Sequence, residues 1–190
     1  GPLLEQLGAE VVPGDVLAPE TLPHGQYSHI LHAATDTTRG AAFATLDRFT
    51  QIVDGTRNVL ALAARCGKPR FLLTSSGAVY GPQPVSLEKI PESYLGMPDP
   101  LHPGHAYGVG KRVAEHLCAL YRDRFGVETV VARCFAFVGA DMPWDAQFAI
   151  GNFIRDARRA PAISLQGDGR AVRSYMDQRD LALWLTQMLM

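Results

Sequence analysis

Residues 71–81 have the sequence FLLTSSGAVYG, an apolar run that ends in hydroxyl side chains followed by a turn. Apolar residues that follow one another without alternation are typical of a strand buried on both faces, as in a parallel sheet. The sequence therefore predicts a strand over Phe71–Thr74, with Ser75 and Ser76 at its carboxyl end.

Helical patterns flank this strand on both sides. Between Ala41 and Arg65 the apolar residues recur with helical spacing, and the Gly67-Lys-Pro69 sequence is typical of a helix end. After the strand, a helix is predicted from Ala106 to Phe125, ending at Gly126. A buried strand between two such helices is a unit of an α/β fold.

Further elements continue the alternation of strand and helix. Strands are predicted at Glu10–Val12, Ser28–His32 and Thr129–Arg133, and helices at Phe148–Arg159 and from near Asp180 onward. This alternation implies parallel strands joined by right-handed crossovers, so the predicted fold is α/β with a doubly wound parallel sheet. Ligands bind beyond the carboxyl ends of the strands in such sheets, which is where Ser76 is expected to lie.

Composition argues against several classes of protein. With 18 Lys and Arg against 19 Asp and Glu, the formal net charge is −1, so no basic field favours nucleic acid or an anionic membrane. No apolar run approaches the ~20 residues of a membrane span. The three cysteines, Cys66, Cys118 and Cys134, lack C-x-x-C spacing, which favours reduced thiols in a cytoplasmic protein.

Tyr107 and Lys111 are four residues apart in the predicted helix that begins at Ala106. Residues at this spacing share a face, so the phenol and the ammonium can point into one site. A nearby cation favours the phenolate and lowers a tyrosine pKa from about 10, which would suit Tyr107 to general acid/base catalysis. Taken alone, the pair is also typical of a helix surface, and Ser76 of a turn.

Other short segments support the catalytic interpretation through their order along the chain. They are Gly14-Asp-Val16, His32-Ala-Ala-Thr35, Asp54-Gly-Thr-Arg-Asn58, Val79-Tyr-Gly81, Arg133-Cys-Phe135, Val138-Gly139, Gly167-Asp-Gly169, Arg173-Ser-Tyr175 and Asp180-Leu-Ala182. Together with Ser76, Tyr107 and Lys111 they resemble the extended short-chain dehydrogenase/reductase family, in particular its nucleotide-sugar epimerases and dehydratases. Each segment is unspecific, but their common order argues against chance.

The resemblance implies a Rossmann-like fold, an NAD cofactor, with NADP left open, and catalysis by Ser76, Tyr107 and Lys111. In such a mechanism Tyr107 exchanges a proton with a sugar hydroxyl, Ser76 steadies the oxygen, and Lys111 holds the nicotinamide ribose. The cofactor-binding residues that it implies are Asp15, Val16, Ala33, Ala34, Thr35, Ser75, Tyr107, Lys111 and Phe135. Asp15 is open to a second interpretation, as a turn-forming residue.

The resemblance also implies a nucleotide-diphosphate sugar as substrate, bound by Ser76, Asn152, Phe153 and Arg173. Arginine suits this role because its planar fork can bond two phosphate oxygens at once. A structural ion pair is the alternative for Arg173. Relatives commonly form homodimers through the long helices, so a homodimer is expected.

The glycine-rich phosphate loop of the family, G-x-x-G-x-x-G after an opening strand, is missing from this sequence. We therefore expect a fragment, with residues 1–138 as a truncated dinucleotide-binding core that carries the catalytic residues. Residues 139–190 would supply the beginning of a small C-terminal substrate domain, interleaved with a late strand and helix of the core. No metal site is predicted, because His102 and His105 lack a third ligand.

The residues after Ser76 bear on the reaction. Sugar dehydratases of the family carry an Asp-Glu pair there, and its decarboxylases keep a Glu, whereas this chain has Gly77 and Ala78. Ala136 stands where 4-epimerases commonly have an Asn, so the sugar is open. We expect an NAD-dependent nucleotide-sugar epimerase. A nucleotide-linked keto-sugar reductase, or a non-catalytic binding or regulatory protein on the same fold, are the alternatives.

Overall fold

Three parallel strands form the central sheet of the protein in a computed structural model that describes residues 2–36, 45–146, 148–165, 167–169 and 171–190. The strands are β1 (His29–His32), β2 (Arg70–Ser76) and β3 (Thr129–Cys134), in the order β1-β2-β3. In register, Leu72 of β2 lies between Leu31 of β1 and Val130 of β3.

Five helices accompany these strands in the described part of the chain. They are α1 (Pro2–Gln6), α2 (Thr45–Arg65), α3 (Ala106–Phe125), α4 (Ala149–Arg159) and α5 (Gln178–Leu189). Helix α3 has the predicted limits, and Gly126 ends it in the left-handed conformation, with φ of 67°. The first four residues of the predicted helix Ala41–Arg65 lie outside the described residues.

The sheet is covered by helices on both faces, which confirms the doubly wound α/β prediction. On one face, Phe71 and Leu73 of β2 pack in a buried cluster with residues of α2 and α3, among them Ile52 and Cys118. Side chains alternate along a strand, so Leu72, which is also fully buried, points to the opposite face. Helix α5 contacts all three strands there.

Two predictions of local structure need correction. No strand forms over Glu10–Val12, and Val11 and Val12 are exposed. A strand needs a hydrogen-bonding neighbour, and the described residues place none beside this segment. In addition, a short parallel pair, β4 (Ala136–Val138) and β5 (Tyr175–Asp177), was not predicted. Three-residue strands are too short to produce a periodic pattern.

Helix α5 begins at Gln178, slightly before the predicted start near Asp180. The cause is Asp177, whose carboxylate accepts a hydrogen bond from the backbone N–H of Arg179 and so caps the helix.

Among the described residues, no helix is both long and apolar enough to cross a membrane. The division of the chain at residue 138 stays a prediction.

Candidate active site

Lys111 is a buried lysine of α3, only 4% exposed, whose ammonium lies at the carboxyl ends of two neighbouring strands. Nζ donates hydrogen bonds to the backbone oxygen of Thr74 in β2 (2.8 Å) and to Oγ1 of Thr35, just after β1 (3.0 Å). Burial lowers the pKa of Lys111 from 10.5 to about 8, and the nearby Cys134 thiol opposes this shift. Lys111 is therefore mostly a cation at neutral pH.

Tyr107 lies one turn before Lys111 on the same face of α3. The centroid of its ring is 6.0 Å from Nζ of Lys111, and the ring is half-buried against the core cluster. The spacing of four residues thus brings the phenol and the ammonium together.

Ser76 is the last residue of β2, and its hydroxyl begins the turn that follows. Oγ accepts a hydrogen bond from the backbone N–H of Ala78 (3.2 Å), which caps a short 3₁₀ helix over Gly77–Tyr80. This turn touches α3, because a Cβ atom on Gly108 would lie only 2.6 Å from the backbone oxygen of Ala78. Since Gly108 follows Tyr107, the close approach brings the Ser76 turn beside the start of the tyrosine helix.

A shallow cavity of about 350 Å³ lies between the residues that follow β1 and the earlier segment 14–16. Its lining residues are Gly14, Asp15, Val16, Ala33, Ala34, Thr35, Asp36 and Gln51. Five of these are residues predicted to bind the cofactor, and they come from two segments that are distant in sequence. Thr35 also accepts the Lys111 hydrogen bond, so this cavity borders the buried ammonium.

The wall of this cavity is fixed by helix α2. Asn58 donates a hydrogen bond from Nδ2 to the backbone oxygen of Val16 (2.8 Å), and Gly55 lets the Val16 side chain approach the helix closely. These contacts give a physical reason for the Asp54-Gly-Thr-Arg-Asn58 sequence. The Asp15 carboxylate accepts from the backbone N–H of Leu17 (2.9 Å), which fits its interpretation as a turn-forming residue.

His32 is a buried titratable residue that the sequence did not distinguish. Its Nε2 is 3.1 Å from Oγ1 of Thr56 on α2. Burial, with a smaller contribution from the Lys111 charge, lowers the pKa of His32 from 6.5 to about 4. The imidazole is therefore neutral at physiological pH. Its contact with Thr56 links β1 to α2, and His32 adds no positive charge beside Lys111.

A larger cavity of about 1060 Å³ is formed by β4, β5, α4 and the loops between them. Phe135, Asn152, Phe153 and Arg173 all line it, which brings together three residues predicted to bind substrate and one predicted to bind the cofactor. Part of their hydrogen-bonding capacity is used within the protein. Oδ1 of Asn152 accepts from Arg155 (3.1 Å), and Arg173 donates to the backbone oxygen of Val172 (2.9 Å). Ser76, Tyr107 and Lys111 line neither cavity.

Ser75 is placed differently from the other residues predicted to bind the cofactor. It is buried, and its hydroxyl donates to Oε1 of Glu115 on α3 (2.6 Å). Glu115 also accepts two hydrogen bonds from Arg133, at 3.0 Å and 2.8 Å. Arg133 in turn donates to the hydroxyl of Tyr80 (2.9 Å). The paired carboxylate raises the pKa of Arg133 well above its ordinary value, so the guanidinium stays charged.

Sequence reasoning missed Glu115, although a signal for it was present. Glu115 follows Lys111 by four residues, as Lys111 follows Tyr107, so all three belong to one helix face. The partners Ser75 and Arg133 occupy opposed positions of β2 and β3. Helix spacing alone could have placed Glu115 beside the site, but its partners depend on strand register.

Phe135 closes the space beside the residue after Ser76. A Cβ atom on Gly77 would overlap the Phe135 ring, and the same ring stacks against Tyr80 at 6.3 Å between centroids. The ring of Tyr94 also stacks against Tyr80, again at 6.3 Å between centroids. The Phe135 ring thus lies against Gly77, one of the two positions where dehydratases of the resembled family carry a carboxylate.

Within the described ranges, His, Cys, Asp and Glu side chains form no cluster of three or more that could hold a metal ion. The rings of His102 and His105 lie against one another, with centroids 4.6 Å apart. Nδ1 of His102 accepts from the backbone N–H of Gly104 (3.1 Å). This pair organises the loop before α3.

A parallel sheet with a tyrosine, a lysine and a strand-end serine gathered at its carboxyl edge is typical of nicotinamide-dependent enzymes that act on alcohols and sugars. The family model described as NAD dependent epimerase/dehydratase family matches residues 7–190. This chain therefore belongs to that family.

Individual relatives agree with this assignment. UDP-glucuronic acid decarboxylase 1 from Danio rerio is 37% identical over 135 residues, which cover 71% of this chain and 32% of that protein. RMD from Pseudomonas aeruginosa, solved with NADPH, has a TM-score of 0.73 and 28% identity, covering 98% of this chain and 67% of that one. UDP-glucuronic acid 4-epimerase from Bacillus cereus, solved with UDP-glucuronic acid and NAD, has a TM-score of 0.59 and 26% identity, covering 70% and 40%.

The chain spans between 31% and 40% of the length of the curated decarboxylases that it matches.

Proposed function

We propose that the whole protein is an NAD-dependent nucleotide-sugar epimerase that uses Tyr107 as its acid/base. The observation that carries the proposal is the buried Lys111 ammonium, held between Tyr107 and a cavity whose walls come from the ends of two segments. Burying a lysine ammonium costs free energy, and buried groups with shifted pKa values are often found at functional sites. Here the ammonium lies 6.0 Å from the centroid of the Tyr107 ring.

The small cavity is compatible with part of a dinucleotide. Gly14, Ala33 and Ala34 present small side chains and backbone there, which allows close approach of a ligand. Lys111 uses two of its three N–H donors for described residues, which leaves one for a ribose hydroxyl. When bound, a nicotinamide cofactor supplies the acceptor for a carbinol hydride.

The residues of this chain would then manage the proton. Tyr107, as the phenolate, removes the proton of a sugar hydroxyl and later returns it, and the Lys111 charge stabilises the phenolate that starts the cycle and is regenerated at its end. Ser76 accepts from Ala78 through a lone pair, so its own O–H can donate to the sugar oxygen.

The larger cavity supports a nucleotide-diphosphate sugar as the substrate class. Arg173 offers a guanidinium suited to phosphate oxygens, and Phe153 adds an apolar surface in the same cavity. Within the family, the missing carboxylate at Gly77 and Ala78 favours epimerisation over dehydration or decarboxylation.

A homodimer through α2 and α3 is part of the proposal. Leu46 on α2 is 73% exposed, and Leu120 and Phe125 on α3 are also exposed, so both helices present apolar side chains that a second copy could cover. Sedimentation of the whole protein would test it, since Leu46→Glu with Leu120→Glu should yield a monomer.

The test of function uses the whole protein with NAD and a panel of UDP-, dTDP-, GDP- and CDP-sugars. An epimerase forms reduced cofactor transiently and consumes none, and the product sugar differs only in configuration. Stoichiometric oxidation of reduced cofactor would instead identify the keto-sugar reductase. Release of carbon dioxide from UDP-glucuronic acid would identify a decarboxylase, and binding without turnover a regulatory protein.

Tyr107→Phe removes the phenolic hydroxyl and leaves the ring. We expect kcat to fall by at least ~10²-fold, because general acid/base catalysis contributes that much. Fluorescence titration of the reduced cofactor would show whether the variant still binds it, which separates a loss of acid/base catalysis from a loss of binding. Tyr94→Phe, in the loop beside Tyr80, is the matched control and should keep normal turnover. Near-normal kcat in Tyr107→Phe would contradict the assigned role.

A further inference from the structure

Glu115 connects the catalytic helix to both strand ends of the candidate active site. Its side chain is only 13% exposed, and its oxygens accept from Ser75 on β2 and from Arg133 on β3. Ser75 immediately precedes Ser76. The carboxylate therefore ties α3, which carries Tyr107, to the strand that carries the serine.

The same contacts extend to the wall of the larger cavity. Arg133 donates to the Tyr80 hydroxyl, and its guanidinium lies over the Tyr80 ring at 4.8 Å. Tyr80 then stacks against Phe135, which lines the cavity and covers Gly77. A single, partly buried carboxylate is thus the junction between α3, which carries Tyr107, the strand that carries Ser76, and the Tyr80–Phe135 pair.

Geometry gives this junction its importance. In a reaction that passes a proton between a phenol and a substrate oxygen, an error of about 1 Å can cost ~10²-fold in rate. The distance between Tyr107 and Ser76 is set by how α3 packs on β2. Besides the close approach of Gly108 to Ala78, the Ser75–Glu115 bond is a direct polar link between those two elements.

We propose that Glu115 is a positioning residue, which acts through Ser75 and Arg133 to hold Ser76 and the Tyr80–Phe135 wall in register with Tyr107 and Lys111. This inference rests on the proposed function. Glu115 itself touches no substrate: it donates and accepts no proton in the reaction.

Glu115→Gln is the first test, in the whole protein. The amide keeps the shape but loses the charge that pairs with Arg133, so we expect kcat to fall by about 10- to 100-fold. KM for the nucleotide sugar and the affinity for the reduced cofactor should change by less than about 3-fold, because neither ligand contacts Glu115. The shape of the pH–rate profile should stay that of the wild type, whereas loss of one of its limbs would show that Glu115 is itself an acid/base and overturn the proposal.

Glu128→Gln is the matched control. Glu128 also pairs with an arginine, Arg70, but it lies 64% exposed at the opposite end of β3. Its loss should leave kcat within about 2-fold, since exposed ion pairs contribute little. If the two variants lose activity equally, Glu115 has no special role and the proposal fails.

Hydrogen exchange gives a readout that needs no activity. In Glu115→Gln, amides of residues 75–80 should exchange faster, while those of α2 should keep the wild-type rate. Unchanged exchange at residues 75–80 would overturn the role of Glu115, whatever the activity of the wild type. A wild type that turned over none of the sugars would refute the proposed function instead, so the two failures are distinguishable.

Ser75→Ala serves if Glu115→Gln does not fold, because it removes only the bond to the carboxylate. We expect an intermediate loss in kcat and faster exchange at 75–80, with a melting temperature close to that of the wild type. Wild-type kcat together with wild-type exchange in Ser75→Ala would refute a positioning role for the Ser75–Glu115 bond.

Discussion

Two buried nitrogen bases lie near one another at the end of β1, and the protein keeps only one of them charged. Lys111 retains its proton at neutral pH, with a pKa of about 8, whereas His32 is held neutral with a pKa of about 4. Burial acts on both, and the lysine charge adds to the effect on the histidine. The single cation is the one beside Tyr107.

His32 should make the fold sensitive to acid. The folded-state pKa is below the unfolded value of 6.5, so the unfolded chain binds a proton that the folded chain does not between pH 6.5 and about 4. The contribution of neutral His32 to the free energy of unfolding is present above pH 6.5 and is lost as pH falls toward 4. At 1.36 kcal/mol per pH unit, this amounts to about 3 kcal/mol.

His32→Gln should therefore flatten the pH dependence of the free energy of unfolding between pH 7 and pH 4, measured by urea denaturation. Thr56→Val removes the hydroxyl partner of His32 but keeps the imidazole buried, so it should retain the wild-type slope. Parallel curves for the wild type and His32→Gln would contradict a histidine that is neutral when folded.

At the scale of elements, the sequence predicts best where many residues repeat one pattern. Helix α3 has the predicted limits because twenty residues share its periodicity and Gly126 stops it in a left-handed conformation. Strand β2 was found from its continuous apolar run. The segment at Glu10–Val12, with only two apolar residues, forms no strand, because pairing depends on a neighbour that local sequence does not reveal.

The site was predictable to the extent that it depends on helix spacing and on the ends of strands. Tyr107, Lys111 and Ser76 fall into this class. Helix spacing also places Glu115 on their face of α3, but its contact with Arg133 was not predictable, because it requires the register between β2 and β3 and the packing of α3 on both. Such tertiary contacts are long-range in sequence and leave no local pattern.

The packing of α3 on the turn after β2 depends on one glycine. A Cβ at Gly108 would lie 2.6 Å from the backbone oxygen of Ala78, whereas a Cβ at Gly110 would meet Phe49 and Ile52 of α2 at ordinary contact distances, 3.4 and 3.5 Å. Gly108→Ala should cost about 1–3 kcal/mol of stability, since backbone must shift. Gly110→Ala should be neutral or stabilise by up to about 1 kcal/mol, through helix propensity.

Thermal and urea unfolding of both variants would check this difference. The turnover of Gly108→Ala should also fall, because the shift separates the Ser76 turn from Tyr107. Equal stability of the two variants would show that α3 does not press against the turn.

At the scale of the whole molecule, the sheet works as a middle layer. Helices α2 and α3 cover one face and carry Gln51 and Lys111, which lie at or beside the small cavity. Helix α5 follows the segments that line the larger cavity and packs on the other face. Pairing of β5 with β4 brings residues 175–177 beside 136–138, so the late segment is anchored next to the strand ends. The small cavity therefore lies at the end of β1, and the larger cavity begins directly after the end of β3.

Leu72 and Leu73 test this layered arrangement directly, because they are neighbours in β2 that point to opposite faces. Both are fully buried, so Leu72→Ala and Leu73→Ala should each cost about 2–5 kcal/mol in the free energy of unfolding. Leu101→Ala, at a leucine that is 90% exposed, should change it by less than about 0.5 kcal/mol. If Leu72→Ala were as mild as Leu101→Ala, then α5 would not cover the second face, and the sheet would be a two-layer structure with one face in water.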